Sequence, residues 1–143
     1  MFLDLTPKSW LTLSRTELDE IFSAATASTV PRGEFDGILI VWVPGLSWLI
    51  AAAIRALVWQ GKVFDPDSVV NRVTPFHLAS VRGHVYVSES WLDGRPSIVI
   101  DYSKTSLIAK HVRDEIREVR PGVFLGKVWF RRLRVCDFAL TPR

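Results

Sequence analysis

A chain of 143 residues, 48% of them apolar and including six Trp and eight Phe, can build a packed core without staples and lies far from the polar composition of disordered chains. The single cysteine, Cys136, excludes an internal disulfide, and one domain over residues 1–143 is expected. Net charge is only +3, yet residues 104–143 hold 10 of the 18 basic side chains and 4 of the 15 acidic ones, a bias that reads as a solvated outer face rather than a nucleic-acid footprint, so no nucleic-acid partner is expected.

Met1-Phe2-Leu3-Asp4 shows no basic stretch leading into a long apolar run; no signal peptide is visible, and the cytoplasm is the expected compartment. Ser14-Arg15-Thr16-Glu17 has the spacing of a capping box, and Leu18, Ile21, Phe22 and Ala25 recur on one helical face, which predicts a helix over 15–27. Pro31-Arg32-Gly33 ends it, and Phe35 to Val43 reads as a strand covered on both faces. After Pro44-Gly45, Leu46 to Trp59 is almost wholly apolar, with three consecutive alanines and Arg55 as its only charge; a second helix with little polar face is expected there. Ile38 to Trp59 is long enough to span a bilayer, but Pro44-Gly45 and Arg55 interrupt it. The helix therefore covers or closes a sheet, or rests on a membrane or a partner.

From Gly61 onward, turn signals at Asp65-Pro66-Asp67, Arg82-Gly83, Asp93-Gly94-Arg95-Pro96, Pro121-Gly122 and Arg131-Arg132 punctuate short runs. Strands are predicted near Val69–Leu78, His84–Trp91, Ser97–Tyr102, Glu115–Val119, Val123–Phe130 and Leu133–Leu140. Seven or eight antiparallel strands in a small chain lose their open edges most simply by closing into a barrel, with a sandwich as the alternative. The expected class is mainly β with two helices (α+β).

No Gly-x-Ser-x-Gly elbow, phosphate-binding Gly-rich loop followed by Lys-Ser/Thr, His-Glu-x-x-His or Cys-x-x-Cys is present, which counts against the commonest enzymes and zinc sites. His77, His84 and His111 are too scattered to make a metal site, so neither metal nor cofactor is expected. Polar residues on otherwise apolar strands are the remaining signal. Period two puts His84, Tyr86, Ser88 and Ser90 on one strand face; Asp101 falls on the face of Val99, and Tyr102 follows Ile98 and Ile100. Asn71 and His77, among Val69, Val70, Val73 and Phe76, would give a greasy interior a few fixed hydrogen bonds, and Trp42, Trp59, Trp91 and Trp129 would wall it. Asp114-x-x-Arg117 would aim a carboxylate and a guanidinium at the barrel mouth, or else form a structural ion-pair network.

Two blocks resemble a known group. Leu57-Val58-Trp59-Gln60-Gly61-Lys62, with Leu57 at the first glycine position, is similar to the motif of small bacterial proteins named for Gly-x-Trp-x-Gly; Asp114-Glu115-Ile116-Arg117, Leu125-Gly126 and Phe138-Ala139-Leu140 resemble the end of the accompanying domain. The resemblance spans residues 57–140 and implies a lipocalin-like (calycin-like) barrel. It carries no activity.

The first functional expectation is a hydrophobic or lipid-like small molecule held inside the barrel by Asn71, His77, Tyr86, Trp59, Trp91 and Arg117. The alternative is a cyclase- or isomerase-type enzyme using acid–base groups from Asp101, Tyr102, Asp114 and His111. A third reading docks the apolar helix 46–59 on a membrane surface or a partner. The sequence fixes no oligomeric state.

Overall fold

The computed structural model describes residues 7–40, 59–73, 82–105 and 109–143. A 3₁₀ turn, Ser9–Thr12, leads into helix α1, Arg15–Ala24. The capping box forms as its spacing demands: Ser14 Oγ accepts from Glu17 N at 3.1 Å, and Glu17 Oε1 accepts from Ser14 N at 3.2 Å. The helix stops at Ala24 rather than at residue 27, and its C-cap backbone at Ala25 is already extended.

Eight strands follow: β1 (Gly33–Ile40), β2 (Trp59–Phe64), β3 (Ser68–Val73), β4 (Arg82–Glu89), β5 (Pro96–Asp101), β6 (Val112–Arg120), β7 (Val123–Phe130) and β8 (Leu133–Pro142). Each pairs antiparallel with its chain neighbours, and β8 returns to β1 with Phe35 opposite Pro142 and Ile40 opposite Asp137, closing the barrel. Closure leaves no unpaired edge on either flanking strand.

One expectation is corrected. The predicted apolar helix 46–59 ends in the wrong structure, because Trp59 opens β2; its residues 46–58 lie outside the described ones. Trp59 closes the apolar run in the sequence, which hides a strand whose inward face carries Lys62 and Phe64. Only one α-helix is present among the described residues, and none there is long and apolar enough to cross a membrane.

Strand alternation sorts the core into two layers. Phe35, Phe64, Val69, Val85, Ile98, Ile100, Ile116, Phe124, Phe138 and Leu140 turn inward and pack on one another. On the outside, Leu18, Ile21 and Phe22 of α1, with Trp10, press on Ile40, Val123, Leu125 and Ala139. Each large side chain buried this way contributes about 1.5–3 kcal/mol. β7 and β8 are covered on both faces, which is why they read as nearly continuous apolar runs.

The ends of the barrel differ. At one, here the upper end, β1, β3 and β5 stop, β2, β4 and β6 start, and the β7–β8 hairpin turns. The strand ends flanking residues 41–58, 74–81 and 102–111 all lie there. The lower end is closed by short turns such as Asp65-Pro66-Asp67 and Pro121-Gly122.

Candidate functional site

Four polar side chains meet inside the barrel, toward its upper end. Lys62 on β2, Asn71 on β3, Tyr102 just after β5 and Asp114 on β6 all occupy inward positions and are 2–8% exposed. The Lys62 ammonium donates to Asn71 Oδ1 at 2.6 Å, to Tyr102 OH at 2.9 Å and to Asp114 Oδ2 at 2.9 Å. Tyr102 OH accepts from Asn71 Nδ2 and donates to Asp114 Oδ2, each at 2.9 Å. Lys62 Nζ also lies 5.2 Å from the centre of the Phe138 ring, a ring that fits because Gly126 opposite it has no side chain. Burial, reinforced by the Asp114 carboxylate, pushes the Tyr102 phenol well above its ordinary range and keeps it a neutral hydrogen-bond donor.

Asn71, Tyr102 and Asp114 are thus brought together as an interior group. Lys62, the cation at its centre, was missed as a site residue. Its signal was a lone lysine two positions before Phe64, hidden by the helix assigned up to Trp59.

The other expected site residues go elsewhere. Asp114 and Arg117 are three apart on one strand, so they face opposite sides of the wall. Arg117 lies outside, under α1: it grips Asp93 with Nη1 at 2.6 Å and Nη2 at 2.7 Å, and donates to the carbonyls of Phe22, Arg95 and Pro96. It is a brace between the helix end and the β4–β5 loop, not a ligand contact. Asp101 and Tyr86 also sit on the outer wall, joined by a 3.1 Å hydrogen bond. Burial raises the Asp101 carboxyl, but bonds from Ser103 and Tyr86 outweigh it and hold the group below its ordinary value. Trp91 lies outside between the guanidinium groups of Arg113 and Arg132, at 4.3 and 4.4 Å, with Trp129 edge-on at 5.8 Å; neither Trp lines the interior. His111 is exposed on the turn before β6, its imidazole held below its ordinary range by lost hydration and by Arg131 and Lys110. His77 and Trp42 fall outside the described residues, as does the side chain of Trp59.

The Arg117 fork makes a pH prediction. Arg117 foremost holds the Asp93 carboxyl far below its ordinary 3.8. A depressed carboxyl contributes stability in full above its unfolded value and loses it as pH falls through the folded one. The dependence of stability on pH below about 4 is therefore expected to flatten in Asp93→Asn. Urea titrations of both proteins at descending pH would measure it; parallel pH curves would rule the account out.

Cys136 is buried, its thiol pushed up by burial and by the nearby Asp137 and Asp114, which makes it inert as a nucleophile. Among the described residues no three His, Cys, Asp or Glu side chains gather in a way that would hold a metal ion.

No protein-family model and no curated protein matches the sequence. Among solved structures, a protein from Thermomonospora curvata is similar in fold, with a TM-score of 0.64 and 15% identity over 92% of this chain and 88% of that one. At that identity the likeness is one of fold alone.

Proposed function

We propose that the chain is a binding protein of lipocalin-like type, taking into its upper half a small amphiphile with an apolar body and a carboxylate or carbonyl head. One observation carries the reading: Lys62, Asn71, Tyr102 and Asp114 are buried together in a barrel otherwise lined by Phe, Ile, Val and Leu. Desolvating a lysine and an aspartate costs several kcal/mol per ion (roughly, after relaxation), and apolar side chains of similar volume often serve stability as well or better. Ligand recognition gives the expense a purpose. Small pockets commonly combine apolar walls with a few fixed polar groups.

The division of roles follows from the donors. Lys62 Nζ and the neutral Tyr102 hydroxyl are donors for a ligand oxygen, which enters by replacing Asn71 Oδ1 or Asp114 Oδ2 as acceptor. Asp114 balances the ammonium when the head group is uncharged. Lys62 directly follows Gly61, the last position of the Gly-x-Trp-x-Gly-like stretch.

Calorimetric titration with dodecanoate and with dodecanol tests it. Dodecanoate is expected to bind the wild-type protein, and Lys62→Met to weaken it at least about tenfold, equivalent to about 1.4 kcal/mol, with dodecanol little changed. Circular dichroism checks that the variant is folded, and Asn71→Leu supplies a second, uncharged probe of the group. No dodecanoate binding, or equal binding by folded Lys62→Met, would overturn the proposal.

The 2.9 Å bond from Tyr102 to Asp114 favours one second reading, an acid–base enzyme of cyclase or isomerase type on a hydrophobic substrate. It retains Tyr102 and Asp114 of the expected set, while Asp101 and His111 lie outside the interior group. Conversion of a bound ligand by wild type, lost in Tyr102→Phe with binding intact, would favour it.

A further inference from the structure

The hairpin between β7 and β8 turns on Arg131 and Arg132, whose φ angles are 48° and 71°. Left-handed backbone at both central positions is normally supplied by Asn-Gly or Asp-Gly, because other L side chains crowd their own carbonyls there. Two arginines in succession are a poor choice for the turn itself. Strain of this kind is retained where the side chains are needed for something else; the Arg132 guanidinium lies 4.4 Å from the Trp91 ring and that of Arg131 5.6 Å from the Phe130 ring, and both residues stay exposed to solvent.

The flanking residues point the same way. Phe130 is 43% exposed and Leu133 72% exposed, so the tip presents an apolar, basic, basic, apolar sequence to solvent. Lys110 and His111 lie alongside: Arg131 N donates to the His111 carbonyl at 3.0 Å, and the His111 ring stands 6.1 Å from that of Phe130. Neither 109–113 nor 129–136 contains an acidic residue. The nearest outward carboxylate on β6, Glu115, is fully buried and already bonded to Arg113, Ser90 and the Trp91 backbone. The tip is thus a cationic surface with apolar side chains projecting from it, at the same end of the barrel as the Lys62 group.

We propose that this hairpin tip docks on an anionic lipid bilayer, with Phe130 and Leu133 entering the interface and Arg131, Arg132 and Lys110 meeting lipid phosphates. Charge complementarity selects an anionic surface, and the two apolar side chains select one with a hydrocarbon phase beneath it. A nucleic acid would satisfy only the arginines and the lysine. The inference does not depend on what the barrel interior binds.

Sedimentation of the full chain with vesicles of phosphatidylcholine, alone or mixed equally with phosphatidylglycerol, is the test. Binding is expected to the mixed vesicles only, and to weaken with added salt. The variant Arg131→Asn with Arg132→Gly installs the preferred turn, so it should be at least as stable as wild type while binding at least tenfold less. Phe130→Ser with Leu133→Ser should lose a similar share with the charge intact. Failure of wild type to sediment, full binding by the Asn-Gly variant, or equal affinity for duplex DNA and for the mixed vesicles would overturn the proposal.

Discussion

Gly61→Ala is expected to cost roughly 2–6 kcal/mol, much of the roughly 5–15 kcal/mol that separates a folded domain from its unfolded chain. Two effects add. Gly61 has φ +145°, outside the range that L side chains ordinarily adopt, and a Cβ there would collide with the backbone carbonyl of Phe35 on β1. The obstacle is backbone, paired in register with β2 through Phe35 and Lys62, and cannot swing aside as a side chain would. Relief requires moving β1 from β2 at the point where Lys62 is aimed inward, beside the irregularity between Trp59 and Gly61 in the pairing with β3. Urea denaturation should give a much lower midpoint, and any protein that remains folded should bind dodecanoate poorly. A midpoint within error of wild type would show that the close approach is unnecessary.

Lys127→Met is expected to be nearly as damaging, by about 3–5 kcal/mol. Lys127 on β7 and Asp137 on β8 are fully buried and 2.7 Å apart; Lys127 also reaches Asp19 of α1 at 2.7 Å. Arg134 completes the group, with Asp19 at 2.8 Å and Asp137 at 3.3 Å. This network pins the charged face of α1 to the outer wall, where apolar contact comes from Leu18, Ile21 and Phe22. Removing the lysine leaves two carboxylates, Asp137 fully buried and Asp19 partly exposed, to share one guanidinium. Replacing both ends, as in Lys127→Met with Asp137→Leu, removes the orphaned charge and should recover much of the loss. Guanidinium denaturation of the single and double variants measures the difference; a double variant no more stable than Lys127→Met would contradict the account.

How much was legible in the sequence depended on the kind of signal. Ser14 and Glu17 announce the start of α1 because capping is local chemistry, and Val123–Phe130 declares β7 because a run buried on both faces admits few polar residues. Tyr102 could be placed with Ile98 and Ile100 by period two, and the same rule already sets Asp114 and Arg117 on opposite faces of β6. A spacing of three suits neighbours on a helix, whereas Glu115 to Val119 reads as a strand, on which the two part company. Trp59-Gln60-Gly61-Lys62 is harder, since an apolar run ending at Trp59 with a glycine two residues on fits a helix C-terminus as well as a strand with a bulge. Which outward charges are buried could not be read at all. Asp19 lies more than a hundred residues from Lys127, Arg134 and Asp137, and nothing local reveals that α1 covers them. The sign of each strand face, inward for Val85 and outward for Tyr86, likewise waits on closure of the barrel.

Nuclear Overhauser contacts between ¹³C-labelled dodecanoate and the methyl groups of the protein test the interior binding reading most directly. Chain methylenes are expected to contact the inward methyls of Ile98, Ile100 and Ile116, with the carboxylate carbon shifting on binding in wild type but not in Lys62→Met. Contacts confined to the outer methyls of Ile21, Ile40 and Leu125, or a carboxylate shift unchanged by Lys62→Met, would contradict it.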